Sequence, residues 1–494
     1  MDYLMVARAV LPEICTAFLA LLVLTVDLAW LTTWSESARK TLLCVVCTLA
    51  LGIAWILLDR NWEPVAIPTL GWMASPGVTC LKGLIAALTL GSLWLSRESS
   101  FTKHVGEYFA LTLLAAVGAM ILCSTQHLIL AFTGLELLSL SLYVLTAFHK
   151  DRALSAEAGL KYFLFGGVSA ATMLYGFSLL HGATGELLLP KVAMKLAAGP
   201  VEPIAVMGVL FASAGFAFKI SAAPFHLWTP DAYQGATPGS AAFIASVSKL
   251  ASFALLAQVT WVGWNPAGVA GNASLGSAKP GWIAFFAFAA TASIVIGNLA
   301  ALAQSGFRRF IAYSGVAHAG YMLVGLIANT QDAAYSVLYY AVTYAIGSLG
   351  LIAMSAILEN RRGSDAISGF AGWMRESRFL AVCLMVFLLS QAGIPPLAGF
   401  FAKFYVFSAA LKSHGAPHGV FWLVAASLVA SCVALYYYLR IVRAAFEARD
   451  LAEAGQAPGM PALWITRAWI GACALLLVWW GCFPDKLLSL LRGS

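Results

Sequence analysis

Five titratable side chains stand in apolar runs where a charge is costly. They are Glu136 in GLELLSLSLYVL, Lys219 in GFAFKISAAP, Lys249 in FIASVSKLASF, His318 in RRFIAYSGVAHAGYML and Lys403 in GIPPLAGFFAKFYVF. Counted at the α-helical rise from the nearest end of its run, each lies about 13–18 Å inside. That depth is near the centre of a hydrocarbon layer about 30 Å thick. A charge held there costs at least ~2.5 kcal/mol on the insertion scale. A single residue of this kind fits a structural ion pair or a hydrogen-bonded histidine; five at one depth, on different runs, favour a shared polar path. The chemistry they suit is proton transfer. Burial makes a lysine release its proton more readily, a nearby carboxylate tightens the hold, and moving the partner charge can load or unload it. A sixth residue, Lys82, sits near the outer end of its run beside Pro76 and reads as a snorkelling lysine.

The elements that carry these residues follow from composition. The chain of 494 residues is 61% hydrophobic and only 10% charged, against about 25% charged in ordinary soluble domains. Such a chain is an integral membrane protein, and about fourteen runs are long enough to span, at roughly 20 residues each. The expected class is all-α, with no soluble domain between spans. The first run, 9–31, is longer than a signal-peptide core and reads as a retained span. Basic residues set the orientation. One side collects Arg39, Lys40, Arg152, Arg308, Arg309, Arg361, Arg362 and Arg440 among others, and the opposite side Lys191, Lys195, Lys412 and Lys486. The bias is about two to one, placing both termini outside. The net charge of +7 therefore reads as topology and not as nucleic-acid binding. Cys44 and Cys47 form a CxxC without a second pair or a nearby histidine, so they read as packing residues. No nucleotide-binding or haem-attachment pattern is present, and neither a cofactor nor a metal site is expected in this chain.

Two runs are unusually long and carry helix breakers. Pro224 interrupts 203–234 just after Lys219, and Gly393, Pro395 and Pro396 interrupt 379–412 just before Lys403. Proline removes an intrahelical hydrogen bond, and freed backbone is tolerated at membrane depth only where protein or a wet cavity receives it. Paired interruptions in two halves of a chain point to an inverted-repeat transporter. The breaks fall in the seventh and twelfth spans, and an odd separation reverses direction. The expected organisation is a three-helix segment 1–104, a first five-helix repeat 105–261, an inverted second repeat 281–441, and a C-terminal helix and tail 442–494.

The segments GLELLSLSLYVLTAF, KYFLFGGVSAATMLYG, FKISAAPFHLWTPDAYQGATP, RRFIAYSGVAHAGYMLVG and QAGIPPLAGFFAKFYVF, in this order, resemble the antiporter-like membrane subunits of proton-pumping NADH–quinone oxidoreductase, respiratory complex I. The phrase FHLWTPDAYQGATP and a lysine at 403, where the M type has glutamate, are similar to the N type. The resemblance implies fourteen spans with two inverted repeats. It implies that Glu136 pairs with Lys219, that Lys249 is the central relay lysine and Lys403 the terminal one, and that His318 lies between them. Lys161 matches a basic position of the family, although its place near the inside end fits a topology signal equally well; His226 is a further candidate. One departure is GATPGSAAF, where the family more usually has a GAPTP-like order.

By the same resemblance, FMN, iron–sulfur clusters and quinone belong to partner subunits. The expected partners are the M-type neighbour, small membrane subunits of the complex and the lipid bilayer. The expected home is a bacterial inner membrane. A stand-alone or Mrp-type sodium/proton antiporter, or a membrane-bound hydrogenase subunit, would share the fold and relay. A non-transporting subunit, whose ion pairs merely hold a membrane arm together, is the alternative of another class.

Overall fold

Runs of Leu, Ala, Val and Phe wind into helices here because a helix satisfies its own backbone polar groups where no water can do so. The structure, a computed structural model, describes residues 3–59, 65–67, 69–265, 281–412, 420–447 and 464–493. In chain order the main helices are α1 Leu11–Leu31, α2 Glu36–Trp55, α3 Pro76–Glu98, α4 Val105–Ser124, α5 Leu128–Thr146 and α6 Ala153–Thr184. The half-helices α7 Pro203–Lys219 and α8 Trp228–Gly235 follow. Next come α9 Pro238–Gly263, α10 Trp282–Leu302, α11 Phe307–Ile327 and α12 Gln331–Arg362. The half-helices α13 Arg378–Ala392 and α14 Ala398–Lys412 precede α15 Phe421–Phe446 and α16 Trp464–Cys482. Twelve of these are long and apolar enough to cross a membrane, so the chain is a multi-pass membrane protein. The four half-helices make up the two runs in which the sequence places breakers.

Burial sorts the helices into an inner group and a lipid-facing rim. The most apolar stretches of α9 and α12 are wholly buried and that of α11 is 94% buried, against 28% in α6. The inner three helices are those that carry Lys249, His318 and a pair of tyrosines. On the rim, Leu160, Phe163, Leu164, Phe165 and Val168 of α6 are exposed, as a lipid-facing surface requires.

One expectation gains a detail and one changes. The fold is all-α apart from one short antiparallel hairpin, Val65–Ile67 with Trp72–Ala74, which turns through Gly71 at φ +60°. Its Trp72 indole donates to the Ala9 carbonyl at 3.1 Å, tying the hairpin to the chain ahead of α1. Lys82 does not snorkel. It is fully buried, and its Nζ lies 2.8 Å from Oε1 of Glu13 on α1; a charge that has a buried partner has no reason to reach for water. Cys44 and Cys47 are buried free thiols within the apolar core.

Candidate proton path

The first break places Lys219. Helix α7 ends at this residue, Ser221 takes a left-handed conformation (φ 62°), and the Ala223–Pro224 bond is cis. Two of the freed backbone groups find side-chain partners. The Ala223 N–H donates to Ser293 Oγ of α10 at 2.8 Å, and the Phe218 carbonyl accepts from the Trp228 indole at 3.2 Å. Trp228 in turn stacks flat on Tyr162 of α6, ring centroids 4.0 Å apart. Ile220–Ala223 of the loop are buried in protein, as irregular backbone at membrane depth must be, while Pro224 and Leu227 present exposed apolar side chains.

Lys219 itself is buried, and its Nζ donates to Ser139 Oγ at 2.8 Å. Ser139 stands one turn along α5 from Glu136, which is half-buried. Among the described residues Glu136 forms no ion pair with Lys219. Both instead line one cavity with Ser139 and Tyr143, about 20 Å³ of space for water centres, room for roughly one water. The carboxylate and ammonium share a site without touching, and Ser139 holds the intermediate position.

Lys249 is set by a local irregularity. Five residues of π-helix, Ile244–Ser248, immediately precede it; such bulges re-aim the side chains that follow and recur at functional sites. At the head of the same helix Thr237 Oγ1 accepts from the Ser240 N–H at 3.4 Å and Pro238 occupies the first turn, so the ATPG order caps α9 in the ordinary way. The Lys249 Nζ donates to the Gly315 carbonyl of α11 at 2.9 Å. Gly315 is needed there, because a Cβ would meet Lys249 Nζ at 2.8 Å and the Tyr344 hydroxyl at 2.5 Å.

His318 lies one turn further along α11 and is buried. Both ring nitrogens are engaged: Nδ1 with the Tyr340 hydroxyl of α12 at 2.8 Å, and Nε2 with the Tyr438 hydroxyl of α15 at 3.0 Å. Tyr438 also hydrogen-bonds Ser314. Beside them a second set, Tyr437–Asn298–Tyr321, is linked at 3.1 Å on each step.

The second break places Lys403. Helix α13 ends at Gly393 (φ 85°), and the Pro395–Pro396 bond is cis. Lys403, on the far side of the break, donates to the Ala392 carbonyl at 2.8 Å. A cavity of about 10 Å³ is lined by His318, Tyr340, Ser390, Gln391 and Ala402.

The remaining candidates lie off this row. Lys161 is partly exposed and forms ion pairs with Glu157 at 2.6 Å and with Asp231 of α8 at 2.8 Å. Arg309 holds the other oxygen of Asp231 at 2.7 Å. A single carboxylate on the half-helix α8 is thereby clamped to α6 and α11. His226 is buried near the Tyr313 ring, 6.2 Å between centroids, and its Nδ1 has no hydrogen-bond partner among the described residues; it joins none of the groups above. Ser139, Ser314, Tyr340 and Tyr438 were not singled out from the sequence. Ser314 and His318 are spaced i, i+4, as are Tyr340 and Tyr344, a one-face pattern that was there to be read. Among the described residues no three His, Cys, Asp or Glu side chains group so as to hold a metal ion.

A family model described as NADH:quinone oxidoreductase/Mrp antiporter, transmembrane, matches residues 125–434. The chain is 45% identical over 501 residues to a protein named NADH-quinone oxidoreductase subunit N 2 from Acidobacterium capsulatum, covering 99% of each. Among solved structures it is similar to a chain of respiratory complex I from Thermus thermophilus with bound aureothin, at 31% identity and a TM-score of 0.78, covering 98% of this chain and 100% of that one. It is also similar to a chain of the Mrp complex from Dietzia sp. DQ12-45-1b, TM-score 0.80 at 19% identity, covering 98% and 96%. At that identity the likeness speaks for the fold alone.

Proposed function

Because this chain belongs to the NADH:quinone oxidoreductase/Mrp antiporter membrane family, as an antiporter-like subunit of the N type, we propose that it carries protons through the membrane arm of a redox-driven quinone reductase. Electrons travel elsewhere: FMN, iron–sulfur clusters and quinone belong to partner subunits, and an M-type subunit is the expected membrane neighbour. The home is a bacterial inner membrane with both termini outside, and residues 105–261 and 281–441 act as two inverted half-channels.

The observation that carries this reading is a contrast in charge accounting. Lys219, Lys249 and Lys403 are all buried, and each ammonium donates to a neutral acceptor: Ser139 Oγ, the Gly315 carbonyl and the Ala392 carbonyl. None forms an ion pair among the described residues. Chains that use buried charge as glue pair it, because an unmatched ion in low dielectric is costly. Three unmatched lysines in the inner part of the bundle instead suit sites that gain and lose protons.

Protons enter from the inside face near the first break and pass along Lys219, Lys249, His318 and Lys403 before leaving outside. Glu136 is the switch. When its carboxylate approaches Lys219 through the shared cavity it holds the lysine's proton, and when it withdraws the proton is driven toward Lys249. A neighbouring subunit that moves this charge balance drives the pump.

The test is proton pumping by membrane vesicles containing the whole complex with Lys219→Ala, with assembly checked on the same preparation. Pumping and quinone-linked electron flow should both fall while assembly persists. Wild-type pumping would leave Lys219 a structural ion and the relay reading overturned.

A further inference from the structure

The relay as proposed leaves open what bridges Lys249 and Lys403. We infer that this stretch is a wire of protein hydroxyls built around His318, with Tyr438 and Tyr340 as relay members, and that it passes one proton per setting of the histidine. The inference rests on the proton-carrying reading above and adds two residues and a rule to it.

The geometry comes from four elements. Ser314 and His318 lie on α11, Tyr438 on α15 and Tyr340 on α12. Their bonds run without a gap: Ser314 Oγ to Tyr438 Oη, Tyr438 Oη to His318 Nε2 at 3.0 Å, and His318 Nδ1 to Tyr340 Oη at 2.8 Å. All four side chains are buried; only Ser314 reaches 5% exposure. Since both imidazole nitrogens are taken by tyrosines, a water has no ring nitrogen to bond. The ends also fit. Ser314 precedes Gly315, whose carbonyl holds the Lys249 ammonium at 2.9 Å. Tyr340 lines the cavity of about 10 Å³, whose wall includes Ala402, the residue before Lys403 in the chain; it is at the threshold for a single water.

A neutral imidazole has one N–H and one acceptor nitrogen. With the proton on Nδ1, every bond points the same way: Ser314 donates to Tyr438, Tyr438 to Nε2, Nδ1–H to Tyr340, and Tyr340 to the cavity. A proton given up by Lys249 crosses to Ser314, with which the ammonium shares no direct hydrogen bond, and Ser314 passes its own proton to Tyr438. Tyr438 protonates Nε2, Nδ1 releases its proton to Tyr340, and Tyr340 delivers one proton toward Lys403. One proton enters, one leaves, and no charge stays behind. The histidine is now the Nε2–H tautomer and the hydroxyls point backward. No second proton can follow until the tautomer and the hydroxyls are reset. The wire is thus a counter as well as a conductor, which suits a pump that must not leak.

Phenylalanine keeps each ring and removes only the hydroxyl, so Tyr438→Phe and Tyr340→Phe cut the wire on opposite sides of His318. Tyr339→Phe is the control: its ring is equally buried, and its hydroxyl donates to the Trp480 carbonyl at 3.0 Å, outside the wire. Proton uptake per assembled complex and its solvent deuterium isotope effect are measured in membrane vesicles. Each wire variant should lower uptake at least threefold and raise the isotope effect, because proton transfer becomes rate-limiting. Tyr339→Phe should leave both at wild-type values. Unchanged uptake in both wire variants overturns the inference. Lowered uptake with an unchanged isotope effect also overturns it, since the hydroxyls would then only hold His318 in place. Either result leaves the wider reading to stand or fall on Lys219→Ala.

Discussion

The N-terminal helices and the central helices both bury lysines, and they treat them in opposite ways. In the N-terminal segment every such charge is matched. Lys82 meets Glu13 at 2.8 Å, with the Trp72 ring 5.1 Å from its Nζ. Arg39 meets Asp27, which also accepts the Gly106 N–H at 2.8 Å. In the centre, Lys219, Lys249 and Lys403 are also hidden and donate only to hydroxyl or carbonyl oxygens. Although Lys249 and Lys403 face the Tyr344 and Tyr321 rings much as Lys82 faces Trp72, none of the three central lysines meets a carboxylate among the described residues. A matched pair is fixed in one state, because separating it strands two ions in low dielectric. An unmatched lysine can lose its charge and keep its place. The difference separates charge used to hold helices together from charge used to move.

Substitutions sharpen that division, and the largest effect belongs to the matched region. Lys82→Met leaves the Glu13 carboxylate buried and alone, since neither Glu13 oxygen has a partner other than Lys82 among the described residues. Removing one member of a buried pair costs about 3–5 kcal/mol. The complex should lose heat stability sharply, measured as intact complex remaining after heating, while protons pumped per electron in the surviving fraction stay unchanged. Replacing both members, Glu13→Leu with Lys82→Met, should recover most of the loss.

Next comes the first break, where the structure depends on a neutral partner. Ser293→Ala orphans the Ala223 N–H, a buried donor worth about 1–3 kcal/mol when unsatisfied. The same heating assay should show a smaller loss than for Lys82→Met. In this case pumping should fall too, because the loop it anchors positions Lys219. A lesser cost is expected at Gly315→Ala. The new methyl meets side-chain ends and no backbone, Lys249 Nζ and the Tyr344 hydroxyl, so overpacking should stay near the low end of about 1–3 kcal/mol. Its main effect is to push the Lys249 ammonium off its acceptor, read as slower proton uptake in an assembled complex.

The contrast between regions also explains what could be read from the sequence. Lys219, Lys249, His318 and Lys403 stood out because each is a charge or a titratable ring within an apolar run, and the two breaks because proline cannot hide in a helix. Lys82 was misjudged because its partner, Glu13, lies on another helix, and only the packing of α1 against its neighbours shows that the two meet. Tyr340 and Tyr438 gave no signal of their own, since tyrosines are common in membrane helices and only helix crossing brings them to His318. The position of Glu136 was legible, but its distance from Lys219 was not. Ser139, three residues on, takes the ammonium, and the choice between these two groups rests on side-chain conformation and a cavity that no spacing rule contains.

The smallest expected effect on stability is also the most telling, because it lies where the two regions should differ in sign. Lys249→Met replaces an unmatched buried ammonium with an apolar chain of similar length in the wholly buried part of α9. Little is left unsatisfied. The Gly315 carbonyl that held the lysine also accepts within its own helix, and no carboxylate is stranded. The desolvation cost of the ion, by contrast, disappears, and such replacements are commonly neutral or stabilising. Heat stability of the complex should therefore match or slightly exceed wild type, whereas the same change at Lys82 costs several kcal/mol, and proton uptake should be lost. If Lys249→Met destabilised the complex as strongly as Lys82→Met, the central lysine would be holding helices together like its N-terminal counterpart, and the line drawn between the two regions would not exist.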